Sequence, residues 1–377
     1  MDANLIALQK IAKERTVKTQ NIEYDLETLV NRIRKKQIKL DPEYQRKKRW
    51  NDEASSQLIE SLILNIPIPT IYLSQDIDVD EEDEGISRYS VIDGQQRLTA
   101  IFKFMTNELV LIGMGVLEPL NGYTYDELPP FLKRRLEERT IKCLRIDSTL
   151  DAQVKYDIFE RLNSGAVKLE AQELRNAIYR GPFNDLVKHI ARDINFLILN
   201  QINPEPTKME RHKKVQKMED VELVLRFFSL YNNGYMSYRH GFKDFLSLNM
   251  KKFNENYNNE NLELMEQEFI KTMKYIREYM GDFAFSKYRY NPETKSLMYI
   301  SKFNAAVYDA LAIAIADEII LKGLDEQPLS TNFIQNYLML FKNEAFYDSV
   351  SGSVNDKKKL DFRIQKVKEL ILNDRTN

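Results

Sequence analysis

Cysteine is nearly missing from this chain: Cys143 stands alone among 377 residues. With no second thiol, an internal disulfide framework and a cysteine-rich zinc site are both excluded, and a reducing cytoplasm is the expected setting. A charge excess is missing too. The formal balance is only -2, so the chain as a whole is not a polyanion binder by composition, and any nucleic-acid surface has to come from local basic patches. Long uncharged apolar runs are absent, which leaves no membrane-spanning candidate, and the N-terminal "MDANLIALQKIAKERTVK" lacks the apolar core and small-residue cleavage site of a signal peptide. No internal repeat of fixed period occurs.

What remains is the composition of an ordinary folded protein, 43% hydrophobic and 30% charged, in a chain long enough for two domains. Residues 1–147 alternate β-like runs with helices and read as α+β. Asn51 is placed to cap a helix carrying Leu58, Ile59, Leu62 and Ile63, which "NIPIP" stops. "TIYLSQ" and "RYSVID" read as two strands of a hairpin tipped by the acidic "DIDVDEEDEG". From Gln95 the period turns helical, with Leu98, Ile101, Phe102 and Met105 on one face. "ELVLIGMG" predicts a further strand or two, "LPPFLKRRLEER" a helix opened by Pro130, and "TIKCLRI" a last strand. Residues 148–377 read as an all-α domain, beginning with "LDAQVKYDIFERLNSG" and "LEAQELRNAIYRGP"; "NQINPEPTKMERHKK" and "NMKKFNENYNNENLE" are expected to be loops.

The stretch carrying chemistry is "VIDGQQRLTAI", Val91 to Ile101, where strand gives way to helix. Gly94 lets the backbone approach a ligand, and the helix that follows presents unpaired N–H groups to an anion. Arg97 lies in the first turn, where a positive charge opposes the helix dipole unless an anion sits beside it, and that conflict points to a phosphate. Ala100 lets the helix lie close to the sheet. Asp93 can hold magnesium or orient water, and Gln95 or Gln96 can position an attacking water. The bland alternative is an Asp-Gly turn whose glutamines and arginine are merely solvated.

"GQQRLTA" resembles the Gly-x-x-Arg-x-x-Ala phosphate turn of the ParB and sulfiredoxin-like fold, and "DGQQR" in full is similar to the signature of the N-terminal domain of GmrSD-type restriction enzymes and SspE-type phage-defence proteins. "DPEYQRKKRW" (Asp41 to Trp50) and "FERLNSGAVKLEAQELRNA" (Phe159 to Ala177) resemble further elements of that family in the same order, as do "MEDVELVLRFFSLY" and "FNAAVYDALAIAIA". The resemblance implies a ParB/sulfiredoxin-like N-terminal domain followed by an all-α domain, working on invading and often modified DNA. It assigns Asp93, Gly94, Gln95, Gln96 and Arg97 to nucleoside triphosphate binding and hydrolysis, for which Mg2+ is the expected cofactor and Asp93 the residue to hold the metal or a water, and places Tyr44, Gln45 and Arg46 in the same pocket or on the nucleic-acid face. Two-part family members add an HNH-type nuclease. Here His189, His212 and His240 form no His-Asn/Asp arrangement of that kind, so DNA scission would require a partner chain or an atypical site.

Other patterns divide between function and plain structure. "RIRKKQIK" supplies Arg32, Arg34, Lys35 and Lys36, and "RKKRW" supplies Lys47, Lys48 and Arg49, as candidate contacts to DNA phosphates; an exposed basic helix face explains them equally well. Trp50 fits a core role better than base stacking. "ERHKKVQK" reads as a solvated basic run, and the acidic loop as a solvated tip. Glu160, Arg161, Asn163, Glu173 and Arg175 are candidates for coupling the nucleotide to the helical domain, or for a simple salt-bridge network.

Two functional readings follow. One is a DNA-sensing nucleotide hydrolase of prokaryotic phage defence or restriction; the other is a non-hydrolysing nucleotide- and DNA-binding recognition subunit beside a separate nuclease. A homo-oligomer stays open. A sulfiredoxin-type redox reading fails because glutamines occupy the interior of the turn and Cys143 is remote in sequence.

Overall fold

A computed structural model describes residues 18–40, 50–75, 89–147, 158, 170–239 and 241–376. The chain divides into two compact units, Met1–Leu169 and Glu170–Asn377.

The first unit runs β1 (Thr19–Asp25), α1 (Leu26–Arg34), β2 (Ile38–Lys39), α2 (Asp52–Ile63), β3 (Ile71–Gln75), β4 (Tyr89–Asp93), α3 (Gln95–Met105), α4 (Pro130–Glu137) and β5 (Thr140–Ile146). The strands form one mixed sheet in the order β1-β5-β3-β4-β2. β1 with β5 and β3 with β4 are antiparallel, while β3 with β5 and β2 with β4 are parallel. The β3–β4 pair is the expected hairpin; its acidic tip and "RKKR" lie outside the described residues.

Local chemistry accounts for the helices. Asp25 accepts from the Thr28 N–H at 2.6 Å and Asn51 from the Ala54 N–H at 2.8 Å, each satisfying a donor that a helix start leaves unpaired. Leu26, Leu29, Val30 and Ile33 of α1 and Leu58, Ile59, Leu62 and Ile63 of α2 are buried in one core with Ile71, Leu73, Val91 and Ile141 of the sheet. Each such side chain contributes about 1.5–3 kcal/mol on leaving water. On α3 the buried stripe is Leu98, Ile101 and Phe104, with Phe102 and Met105 only partly buried against the same core.

"ELVLIGMG" forms no strand. Leu109, Leu111 and Met114 are buried there, but no strand pairs with them: the Leu111 N–H donates to the Tyr123 carbonyl at 3.0 Å and its carbonyl accepts from the Gly122 N–H at 2.7 Å, and neighbouring N–H groups turn to side chains. Ile112 N–H donates to Ser56 Oγ at 3.0 Å, and the Gly115, Val116 and Leu117 N–H groups donate to the Glu60 carboxylate at 3.2, 2.7 and 2.6 Å. Burial works against the ionised form of Glu60, yet these donors outweigh it and hold the carboxyl below the usual range.

The second unit is helical: α5 (Ala171–Ile178), α6 (Pro182–Ile190), α7 (Ile194–Leu199), α8 (Pro206–Arg211), α9 (Lys213–Gln216), α10 (Glu219–Leu230), α11 (Phe242–Asn256) and α12 (Asn259–Met280), then a hairpin of β6 (Lys287–Asn291) and β7 (Ser296–Ser301), then α13 (Ala305–Ile315), α14 (Phe333–Met339), α15 (Glu344–Ser349) and α16 (Lys357–Thr376). Both segments expected as loops are largely helical. In the first, Pro206 opens α8 and the His212 ring accepts from the Lys214 N–H to start α9. In the second, Phe253 is buried and holds α11 on, while a reciprocal cap between Asn258 and Asn261 starts α12. The predicted helix "LDAQVKYDIFERLNSG" lies almost wholly outside the described residues.

From Ala306 to Ile315 every residue of α13 is buried, as a helix apolar on all sides must be. Its one carboxylate, Asp309, is held by Arg226 Nε and Nη2 at 2.5 and 2.6 Å and by Arg363 Nη2 at 2.5 Å. Among the described residues no helix is long and apolar enough to cross a membrane.

Candidate functional site

The turn from β4 to α3 is built around Gly94, whose φ is +97°. A β-carbon there would sit 2.9 Å from Ile71 Cγ1 and 3.2 Å from Arg97 Nη2, so both the backbone conformation and the space require glycine. Ala100, one turn on, is buried against the core, as the close approach of helix to sheet demands.

Arg97 is buried, and its charge is answered within the chain. Nη2 donates to Asp93 Oδ2 at 2.6 Å, while Nη1 donates to the Pro69 carbonyl and, at 3.4 Å, to that of Thr70. Asp93 keeps 46% of its side chain exposed against 10% for Arg97. The anion that a first-turn arginine calls for is thus a carboxylate one helical turn back, at the end of β4. The guanidinium also ties that junction to the chain entering β3.

Gln95 is buried, and the Gln96 side-chain oxygen accepts from the Trp50 N–H at 3.0 Å, fixing the residue that leads into α2. Trp50 itself is partly buried against the core, in line with its structural reading. Cys143, on β5, has its thiol pushed up to about 12 by burial, although the Arg97 charge acts in the opposite direction; it holds no thiolate at neutral pH.

The structure therefore brings Asp93, Gly94, Gln95, Gln96 and Arg97 onto one turn. Tyr44, Gln45, Arg46, Lys47, Lys48 and Arg49 lie outside the described residues. Arg32, Arg34, Lys35 and Lys36 sit at the end of α1, where cations complement the helix dipole; Arg32 lies 5.0 Å from the Tyr24 ring centroid and Arg34 donates to Asn31 at 3.4 Å. Of the coupling candidates, Arg175 is buried inside the helical unit on Glu222 at 2.8 Å, Ser247 at 3.2 Å and Gln172 at 3.1 Å. Glu173 caps α5 by accepting from the Glu170 N–H at 2.7 Å. Glu160, Arg161 and Asn163 lie outside the described residues.

Among the described residues no cluster of three or more His, Cys, Asp or Glu side chains is set to hold a metal ion. Asp93 is a lone carboxylate: Oδ2 is committed to Arg97, and no partner for Oδ1 occurs among the described residues. Sequence reasoning missed the carbonyls of Pro69 and Thr70 and the Trp50 N–H. Backbone groups leave no trace in a residue pattern, and "NIPIPT" signals only a helix stop.

A mixed sheet, one of whose strands passes through a left-handed glycine into a helix, with a charge pair at the junction, defines an α/β domain that offers a helix start to an anion. Residues 26–180 match the family model described as GmrSD restriction endonuclease, N-terminal domain, so this part of the chain carries a domain of the GmrSD N-terminal type. No curated protein and no solved structure matches the chain.

Proposed function

We propose that this protein is a DNA-directed component of restriction or phage defence, and that the Asp93–Arg97 turn is its nucleotide site. The domain match supports the first part, since the family is named for a restriction endonuclease. The second rests on one observation: a buried arginine at a helix start is balanced by a single carboxylate that remains half exposed.

Phosphate arriving at the start of α3 competes with Asp93 for Arg97. It meets the same helix dipole that Asp93 now compensates, so the exchange keeps the arginine paired. Released from Arg97, Asp93 can take up a cation. Its unpartnered Oδ1 fits a magnesium ion carried in with the nucleotide, because Mg2+ commonly uses one or two carboxylates, phosphate oxygens and water. Such an ion would neutralise phosphate charge. Gln95 and Gln96 border the turn and would orient the attacking water, and Tyr44, Gln45 and Arg46 would complete the pocket. Arg32, Arg34, Lys35, Lys36, Lys47, Lys48 and Arg49 would meet DNA phosphates, and scission would fall to a separate nuclease chain.

The test is phosphate release from each common nucleoside triphosphate with magnesium, with and without DNA, for the wild type and Asp93→Asn, paired with melting curves. Release that depends on Asp93 supports hydrolysis. A nucleotide-dependent rise in melting temperature without release moves the site to a recognition subunit that binds but does not turn over. Neither effect in folded protein overturns the nucleotide site.

A further inference from the structure

We propose that the β6–β7 hairpin holds duplex DNA by entering the major groove as a two-stranded ribbon, an inference that rests on the DNA-directed reading above. The hairpin's strands, Lys287–Asn291 and Ser296–Ser301, pair only with each other among the described residues. One side is anchored, with Tyr288 packed edge-on against Phe341 at 5.7 Å. Lys287, at the base of β6, is held too, by Ser351 Oγ at 2.6 Å, while most of β7 and the turn are exposed. Arg289 and Met298 are register partners on one face and both are exposed, and Tyr299 and Ile300 are 50% and 46% exposed.

The charge on this ribbon is one-sided. Residues 287–302 carry Lys287, Arg289, Lys295 and Lys302 against the single carboxylate Glu293. Among the described residues none of these cations, nor Lys342 beside them, has a carboxylate partner. Three of them meet aromatic rings instead: Lys287 and Arg289 lie 4.9 and 5.9 Å from the Tyr347 centroid, Lys287 also donating to Ser351 Oγ, and Lys342 lies 5.1 Å from the centroid of Tyr290. The chain as a whole is slightly acidic, so this uncompensated patch is local.

A major groove about 12 Å wide admits two strands spaced about 4.8 Å apart. Its rims are phosphates, which suit Lys295 at the tip and Lys302 at the base. Its floor offers thymine methyl groups to exposed Met298 and Ile300, and β7 carries no charge that would have to be desolvated there. An A-form duplex, with its deep and narrow major groove, would not admit the ribbon.

The experiment is equilibrium binding of a short labelled DNA duplex across a salt series, using the full chain, the variant Lys295→Gln/Lys302→Gln and the variant Arg289→Gln. An RNA duplex of the same sequence serves as comparison, and circular dichroism melting checks the fold. The lysines are exposed, so their replacement should leave melting unchanged while weakening DNA binding about tenfold and flattening the log-log salt slope by roughly 1.8, two phosphate contacts' worth. Wild-type binding to DNA with folded variants that bind equally well, or equal binding to RNA, overturns the ribbon and leaves the DNA-directed reading standing. A wild-type chain that holds no duplex at low salt overturns that reading and the ribbon with it.

Discussion

The Arg97 guanidinium lies 2.6 Å from the Asp93 carboxylate, one helical turn back across Gly94, so the cation that opens α3 is neutralised by the last residue of the strand before it. Removing that carboxylate leaves a buried arginine facing a helix start. Asp93→Asn is expected to cost about 1–3 kcal/mol, less than a fully buried pair because Asp93 is half exposed, and urea unfolding of the two proteins will measure it.

Gly94→Ala meets two penalties together. The φ of +97° is unfavourable for any residue with a β-carbon, and that carbon would lie 2.9 Å from Ile71 Cγ1. A loss of about 1–3 kcal/mol is expected, with α3 loosened at its start; thermal melting and hydrogen exchange at the amides of residues 95–98 will report it.

Glu60 gives the first unit a defined acid sensitivity. Its folded pKa lies below the ordinary value, so the unfolded chain binds more protons in the interval between the two. The contribution is full above the ordinary glutamate range and is lost as pH falls through the lower folded value. Glu60→Gln should therefore unfold more easily at neutral pH, and its deficit relative to wild type should shrink as the medium is acidified. Denaturant midpoints across an acid series will show whether it does.

The thiol of Cys143 should be silent in the folded state. It is buried on β5 and its pKa is pushed up to about 12, so a thiol reagent at neutral pH should label it only in denaturant. Rapid labelling of native protein would place Cys143 at the surface, contrary to this fold.

In the helical unit, Asp309 joins Arg226 of α10 to Arg363 of α16 through α13. Asp309→Asn leaves two buried guanidinium groups without their anion and is expected to cost about 3–5 kcal/mol, read from melting or urea unfolding.

The sequence by itself determined the local elements. Asn51 as a cap, the Leu58 to Ile63 stripe, Pro130 at a helix start and the Asp93-Gly94 junction are all set by residues within a turn or two of one another, which is the range over which capping, φ preference and periodicity act. Where the partner was remote, the pattern said little or misled. "ELVLIGMG" has the composition of a strand but spreads its backbone bonds over Ser56, Glu60 and the turn at Gly122 and Tyr123. "NMKKFNENYNNENLE" looked too polar for helix until burial of Phe253 and the Asn258 cap fixed it. The need for an anion beside Arg97 was legible from its place in the first turn. The resident anion, Asp93, lies only four residues back and needs nothing more than the turn at Gly94 to reach it, whereas the carbonyls of Pro69 and Thr70 came to share the guanidinium only when the β3–β4 pairing brought the two chain segments together.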